Sequence, residues 1–247
     1  ISGELAIYPR SSTDLHDYGP SPVFSIPLDV SKAATASKNP DIVTGKDGAL
    51  FMAWDRVFHE SVHSISLDNT KNWAAAQPIM HQSVQPALAV TPSNKYCVLG
   101  ATTDELLFKQ STDGGFQMDP QVTTVDANPT LFPAITVGSG EHLHASWERT
   151  NLGIWYSRSF SGGLGFDPPV PLAVNGDGET NSMTRSAAST SDNVYAFWQY
   201  HLSGEPGVDK VLYRRSLDGG QTFSNAHLVR DESNPLTLDE SLPDRFP

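Results

Sequence analysis

Two carboxylates stand directly after a tryptophan at the end of an apolar stretch: Trp54-Asp55 closes Leu50–Asp55, and Trp147-Glu148 closes Leu143–Glu148. A third stretch, Val194–Gln199, ends as Trp198-Gln199. Paired acids are the minimum equipment for acid/base hydrolysis of a glycosidic bond, and an aromatic face beside hydrogen-bonding groups suits a sugar ring and its hydroxyls. Trp54, Asp55, Trp147, Glu148, Arg149, Trp198 and Gln199 are therefore candidate ligand-binding residues. Arg185 joins them because a planar guanidinium grips a carboxylate with two parallel bonds. Any catalytic role falls to Asp55, Glu148 and Arg185.

Other constellations carry less chemistry. His142-x-His144 puts two imidazoles on one side of an extended segment, a spacing a metal site can use, but no third ligand is visible, and the pair reads as ordinary polar strand residues. Asn175-Gly176-Asp177-Gly178-Glu179 alternates oxygen ligands and could hold calcium, although it departs from the helix-flanked calcium loop; a turn without an ion is the plainer reading. No metal or other cofactor is otherwise implied. His59 and His63 flank Glu60 and read as loop residues, and the single cysteine, Cys97, lies in the apolar segment Tyr96–Leu99 as packing. A net charge of −12 argues against nucleic acid as a partner. No apolar run reaches the roughly 18 residues that cross a bilayer as a helix.

The elements that must position these residues announce themselves by repetition. Ser-Leu-Asp-Gly-Gly-Gln-Thr-Phe at 216–223 is the sharpest copy of a turn phrase that returns at 66–73, 111–115 and 159–166. Strand openings precede it: Asn39-Pro40-Asp41-Ile42, Gln85-Pro86-Ala87-Leu88, Phe132-Pro133-Ala134-Ile135 and Arg185-Ser186-Ala187-Ala188, with Phe246-Pro247 where another begins. These lie roughly 46 to 61 residues apart, and such a period with several short strands per repeat is the mark of propeller blades.

The pattern predicts an all-β propeller of four-stranded antiparallel blades at 39–80, 85–125, 132–174 and 185–230. Residues 1–30 supply the two outer strands of a partial N-terminal blade, and 231–247 form a tail or the start of the next blade. The count fits a five-bladed ring or a fragment of a six-bladed one, so the chain is expected to be part of a longer polypeptide or assembly. Within each blade the strands a, b, c and d alternate in direction, which puts the a–b and c–d turns at one end and the b–c and d–a loops at the other. Strand b delivers the Trp-acid pairs to the loop end.

Ser216, Asp218, Gly220, Thr222 and Phe223 resemble the Ser-x-Asp-x-Gly-x-Thr-aromatic signature of the Asp-box, or BNR, repeat proteins, the sialidase-like propellers. Ser66, Asp68 and Trp73, and Ser111, Asp113 and Gly115, match in part, while Ser161 replaces the Asp of the third copy. The resemblance implies a structural role for the box, with the Asp accepting backbone N–H bonds in a turn that needs residues tolerant of positive φ. It further implies, for an active sialidase, three arginines around a substrate carboxylate, a Tyr nucleophile with its Glu, and an Asp acid/base. Phe24-Ser25-Ile26-Pro27 lacks the arginine of the family's Arg-Ile-Pro motif, and only Arg185 and Arg245 have suitable repeat positions. The sequence is thus read as a non-catalytic, exported or surface-displayed propeller that binds a glycan or a protein on its loop end. The alternatives are a sialidase or other glycoside hydrolase with an incomplete set, and a structural repeat of an extracellular assembly.

Overall fold

The computed structural model describes residues 28–32, 36–56, 60–68, 71–204 and 209–229. The outer strands expected in residues 1–27, the Phe24–Pro27 string, and the tail with Arg245 lie outside them. Among the described residues every regular element is a strand, in four antiparallel sheets. The first comprises β1 (Ser37–Thr44), β2 (Leu50–Arg56), β3 (Glu60–Ser66) and β4 (Gln77–His81), and the second β5 (Val84–Val90), β6 (Tyr96–Ala101), β7 (Leu106–Ser111) and β8 (Thr123–Asp126). The third holds β9 (Thr130–Val137), β10 (Leu143–Arg149), β11 (Gly153–Ser159) and β12 (Val170–Val174), and the fourth β13 (Glu179–Ala188), β14 (Val194–Leu202), β15 (Lys210–Ser216) and β16 (His227–Leu228). Each sheet is a meander in chain order, the blade of a propeller. The described residues form two compact units that divide within the second sheet: those up to Gly100 with Lys109–Val122, and Ala101–Phe108 with those from Thr123 to Val229.

Each strand a carries the same irregularity. Asn39, Gln85, Phe132 and Met183 all have positive φ, between 48° and 55°, and the register of β1, β9 and β13 against its neighbour slips there. Non-glycine residues in this region are held only where their surroundings over-determine them. The sequence alignment misses the fourth copy by two residues. Met183-Thr184, not Arg185-Ser186, matches Phe132-Pro133, so β13 already runs from Glu179, and Arg185 pairs with Phe197 inside the strand, not ahead of it. Thr184 replaces the proline that marks the other three openings, which removes the only sequence signal.

The c–d turns are built by side chains. Ser216 Oγ donates to Asp218 (2.6 Å) and accepts the N–H of Gly220 (2.8 Å); the Asp218 carboxylate accepts the N–H groups of Gln221 (3.0 Å) and Thr222 (2.9 Å) and the Thr222 hydroxyl (2.6 Å). Ser111 and Asp113 repeat this with Gly115, Phe116 and Gln117. Asp68 takes the Asn72 N–H and the Ser66 hydroxyl. In the third turn Ser159 Oγ still accepts from Gly163 N, and Ser161 Oγ takes the N–H of Gly165 where a carboxylate would otherwise sit.

Three residues before each turn's first serine stands a ring: His63, Phe108, Tyr156 and Tyr213. The second glycine of the following turn lies against that ring in two cases. A Cβ built on Gly163 would overlap the Phe108 ring, and one on Gly220 would overlap the Tyr156 hydroxyl. Phe223, closing the fourth turn, meets Tyr156 edge-on at 4.8 Å. Between the third and fourth sheets Ile154, Leu172, Val194, Ala196, Trp198 and Leu212 complete one core. In the first unit, Val30, Met52, Trp54 and Val62, with Trp73 packed on them, form another.

Gly220 has φ +78° and no room for a methyl group, whereas Gly48 has φ +82° and open space around it. Gly48→Ala is expected to cost about 1 kcal/mol of left-handed strain, and Gly220→Ala roughly 3 kcal/mol once the overlap with Tyr156 is added, read from urea unfolding. Hydrogen bonds from Ser216 and Thr222 hold the Asp218 carboxyl well below the usual carboxylate range. Its contribution to stability is present above the ordinary carboxylate pKa and is lost as pH falls through the depressed value. Unfolding midpoints of the wild type and Asp218→Asn should therefore differ most near neutrality and converge in acid.

Candidate functional site

Asp55, Glu148 and Arg149 lie at or next to the b–c ends of β2 and β10 and Gln199 within β14, each within its own unit, whereas Arg185 lies inside β13. The three indoles are not ligand platforms. Trp54, Trp147 and Trp198 are among the largest fully buried side chains, because strand b is the inner element of its sheet and is covered on both faces. Two of them are also tied down: Trp147 Nε1 donates to Asp126 Oδ2 (2.7 Å) and Trp198 Nε1 to Asn181 Oδ1 (2.7 Å).

Asp55 is likewise committed to the fold. It is 5% exposed, accepts the amide of Asn39 at 2.7 Å, and receives the N–H of Gln85 on both oxygens at 2.9 Å. Gln85 is one of the strained strand-a residues, so the carboxylate pins the backbone where its φ is positive. A carboxylate used this way is engaged in holding the backbone.

Glu148, the counterpart of Asp55 in the third sheet, does the same through the N–H of Met183, but less completely. It is half-buried, its Oε2 has no partner, and burial pushes its pKa up, with the Met183 bond opposing. A carboxyl raised by desolvation, with one oxygen that accepts no hydrogen bond, can hold a proton.

Arg149 closes on Asp126, which no feature of the sequence singled out. Nε lies 2.6 Å from Oδ2 and Nη2 3.0 Å from Oδ1, a two-bond pair in which Asp126 is almost wholly buried. Asn128 Nδ2 adds a donor at 2.7 Å. The guanidinium carbon also sits 3.5 Å above the Trp155 ring, a cation–π stack that leaves Arg149 between an acid and an aromatic face. Asp126 thus takes four side-chain donors, those of Trp147, Arg149 and Asn128. Arg185 is exposed and donates Nη1 to the carbonyl of Thr184 (2.9 Å), with the remainder of its head open. Gln199 Nε2 bonds Asp209 Oδ2, and His201 shares that acid. Glu148, Arg149 and Trp155 stand at the loop end of the third sheet, with Met183 bonded to Glu148, while Arg185 lies inside β13 opposite Phe197.

Several of the remaining metal candidates bond protein groups. Asn175 Oδ1, first of the calcium-like set, accepts both the N–H and the side-chain amide of Asn181, and Glu179 accepts the Tyr200 hydroxyl. His142 Nδ1 lies 2.5 Å from Asp192 Oδ2 and His144 Nε2 3.4 Å from Oδ1, while His144 Nδ1 meets the Tyr156 hydroxyl at 2.7 Å. Asp192 is the partner invisible in sequence, and it also accepts the N–H of Ser139. Burial lowers the pKa of His144, with the Asp192 bond opposing. The cluster belongs to the a–b turn end and joins the third sheet to the fourth. Among the described residues no group of three His, Cys, Asp or Glu side chains is placed to hold a metal ion.

No protein-family model and no curated protein sequence matches the chain. Solved structures do. An α-L-arabinanase of Penicillium chrysogenum in complex with arabinobiose aligns with a TM-score of 0.60 at 13% identity, over 80% of this chain and 67% of that one. A NanB sialidase from Streptococcus pneumoniae gives 0.56 at 13% identity, over 77% and 32%. A protein of unknown function from Dyadobacter fermentans gives 0.57 at 17%, over 78% and 68%. The chain therefore spans from about a third to about two thirds of the length of these structures. At such identities the likeness establishes the fold alone, a β-propeller. No helix of the described residues is long and apolar enough to cross a membrane.

Because Asp126 neutralises Arg149 and satisfies Trp147 in a buried setting, Asp126→Ala is expected to lower stability by about 3 kcal/mol, measured by urea unfolding. Adding Arg149→Met should recover part of that loss, since the uncompensated charge goes with it.

Proposed function

We propose that the chain is part of an exported or surface-displayed propeller of the Asp-box type that binds carbohydrate, without turning it over, at the loop ends of its second unit. The observation that carries this reading is the closed Asp126–Arg149 pair. The arginine nearest an aromatic face and a free carboxyl oxygen is already neutralised, so it orders Trp155 and does not seize an anionic substrate. What the protein leaves uncommitted is the buried Oε2 of Glu148, beside Met183, and the exposed guanidinium of Arg185 on the same strand as Met183, groups able to bond hydroxyls and contact a sugar ring. The named activities of the fold neighbours, on arabinan and on sialosides, favour a carbohydrate over a protein ligand.

One observation favours a second reading. The raised pKa of Glu148 suits a general acid, and a longer polypeptide could bring the second carboxylate that glycoside hydrolysis needs. A glycan array and a fluorogenic sialoside and arabinoside assay on the same preparation separate the two. Binding without turnover, weakened about tenfold or more in Arg185→Ala, is the expected result. Turnover abolished by Glu148→Gln would replace the binder with a hydrolase, and silence on both measurements would end the carbohydrate reading.

A further inference from the structure

One face of the third sheet is joined to the fourth by three contacts, and each falls at a fixed repeat position. Glu148, the residue after the strand-b tryptophan, accepts the N–H of Met183, the positive-φ residue of the next strand a. Ser146, the residue before that tryptophan, shares a 2.9 Å hydroxyl bond with Thr184, which follows Met183. Tyr156, paired with Ser146 across the strands, lies against Gly220 of the next turn. Ser146 and Tyr156 are buried as a result. In the first unit Asp55 does for Gln85 what Glu148 does for Met183, while Ala101, at that position in the second sheet, carries no acceptor.

The equivalent positions of the fourth sheet are Gln199, Phe197 and Tyr213, and among the described residues no further sheet follows in the chain. Phe197 and Tyr213 are only partly buried, and Val211 beside them is 47% exposed, whereas Val194, Ala196, Trp198 and Leu212 on the opposite face are buried in the core shared with the third sheet. Register sets Phe197, Tyr213 and His227 in one row across three strands, with ring centroids 5.6 and 5.3 Å apart. A half-open aromatic row of this kind marks an interaction surface. Gln199 Nε2 donates to Asp209, which leaves the amide carbonyl Oε1 to accept, as Asp55 and Glu148 do.

The chain itself holds a matching segment. Phe246-Pro247, outside the described residues, repeats the dipeptide Phe132-Pro133, whose phenylalanine has φ +48° in β9, and it is the next such opening after Met183-Thr184. The partners also change together: the hydroxyl pair Ser146 and Thr184 becomes the apolar pair Phe197 and Pro247. Repeats of this architecture bury a face only against a neighbour. We propose that Phe246-Pro247 docks on the open face of the fourth sheet, with the Phe246 N–H bonded to Gln199 Oε1 and the Pro247 ring laid on Phe197. The inference does not rest on the carbohydrate reading.

A benzophenone photoprobe in place of the Phe197 ring, introduced into the full chain and irradiated in a mixture of light and isotope-heavy protein, tests the seat. Peptide mapping by mass spectrometry should find an intramolecular cross-link to residues 246–247. A cross-link between light and heavy chains would make the face a self-association surface, one to another segment would assign a different occupant, and none would leave the face bare; each of these overturns the proposal. Hydrogen exchange of the Phe246 amide tests the bond. Gln199→Leu should lower its protection about tenfold or more, whereas Gln199→Glu with Asp209→Asn, which keeps an acceptor and reverses the pair with residue 209, should retain it. An unprotected Phe246 amide in the wild type, or equal protection in all three proteins, also overturns it.

Discussion

A backbone lying on an aromatic ring sets the spacing of this structure. Gly163 approaches Phe108, and Gly220 approaches Tyr156, more closely than any side chain would allow. The Ser-x-Asp turn serves this contact. By accepting two or three backbone N–H groups, Asp218 and Asp113 fix a loop that presents a bare Cα to the neighbouring sheet. Burial of the aromatic residue supplies the driving force, and the carboxylate supplies the shape. That division of labour explains why the third turn survives with Ser161 in place of the acid: Ser159 still caps Gly163, and the glycine still meets its ring.

At the opposite strand ends a second set of carboxylates does comparable work on the backbone. Asp55 and Glu148 each hold the N–H of a strand-a residue with positive φ, and Asp126 anchors an indole, a guanidinium and an amide at once. Acids that look catalytic by type are therefore mostly consumed in keeping strained residues in place. Glu148 is the exception, because one of its oxygens is left without a partner where the strand ends.

The repeats are equal in fold and unequal in chemistry. Where Arg158 and Asp167 bridge a groove in one unit, Ile65 and Ala74 leave it wider in the other; where Tyr156 bonds His144, the equivalent His63 stacks on Phe51. Such asymmetry between copies of one architecture is where a repeat protein acquires sites, since packing constrains the shared positions and releases the rest.

Spacing and turn chemistry carry most of the fold. A period of roughly 50 residues, alternation in the strands, and Gly-Gly after Ser-x-Asp are local properties, and local geometry decides hairpins and blades. The opening of the fourth sheet escapes the sequence by two residues because Thr184 takes the place of proline, so the bulge at Met183 leaves no mark there. The candidate site is legible as a set of residues and not as roles. Trp54, Trp147 and Trp198 are visible as large aromatics beside acids, yet only the neighbouring layers reveal that their faces are covered. Asp126, Asp192 and Asn181 could not be found at all, since each bonds a residue 17 to 50 positions away. The sequence alone determined which segments become strands and turns, because those depend on neighbours along the chain. Only the tertiary structure decided which polar groups are spent on one another and which are left to meet a ligand, because hydrogen bonding and burial depend on neighbours in space.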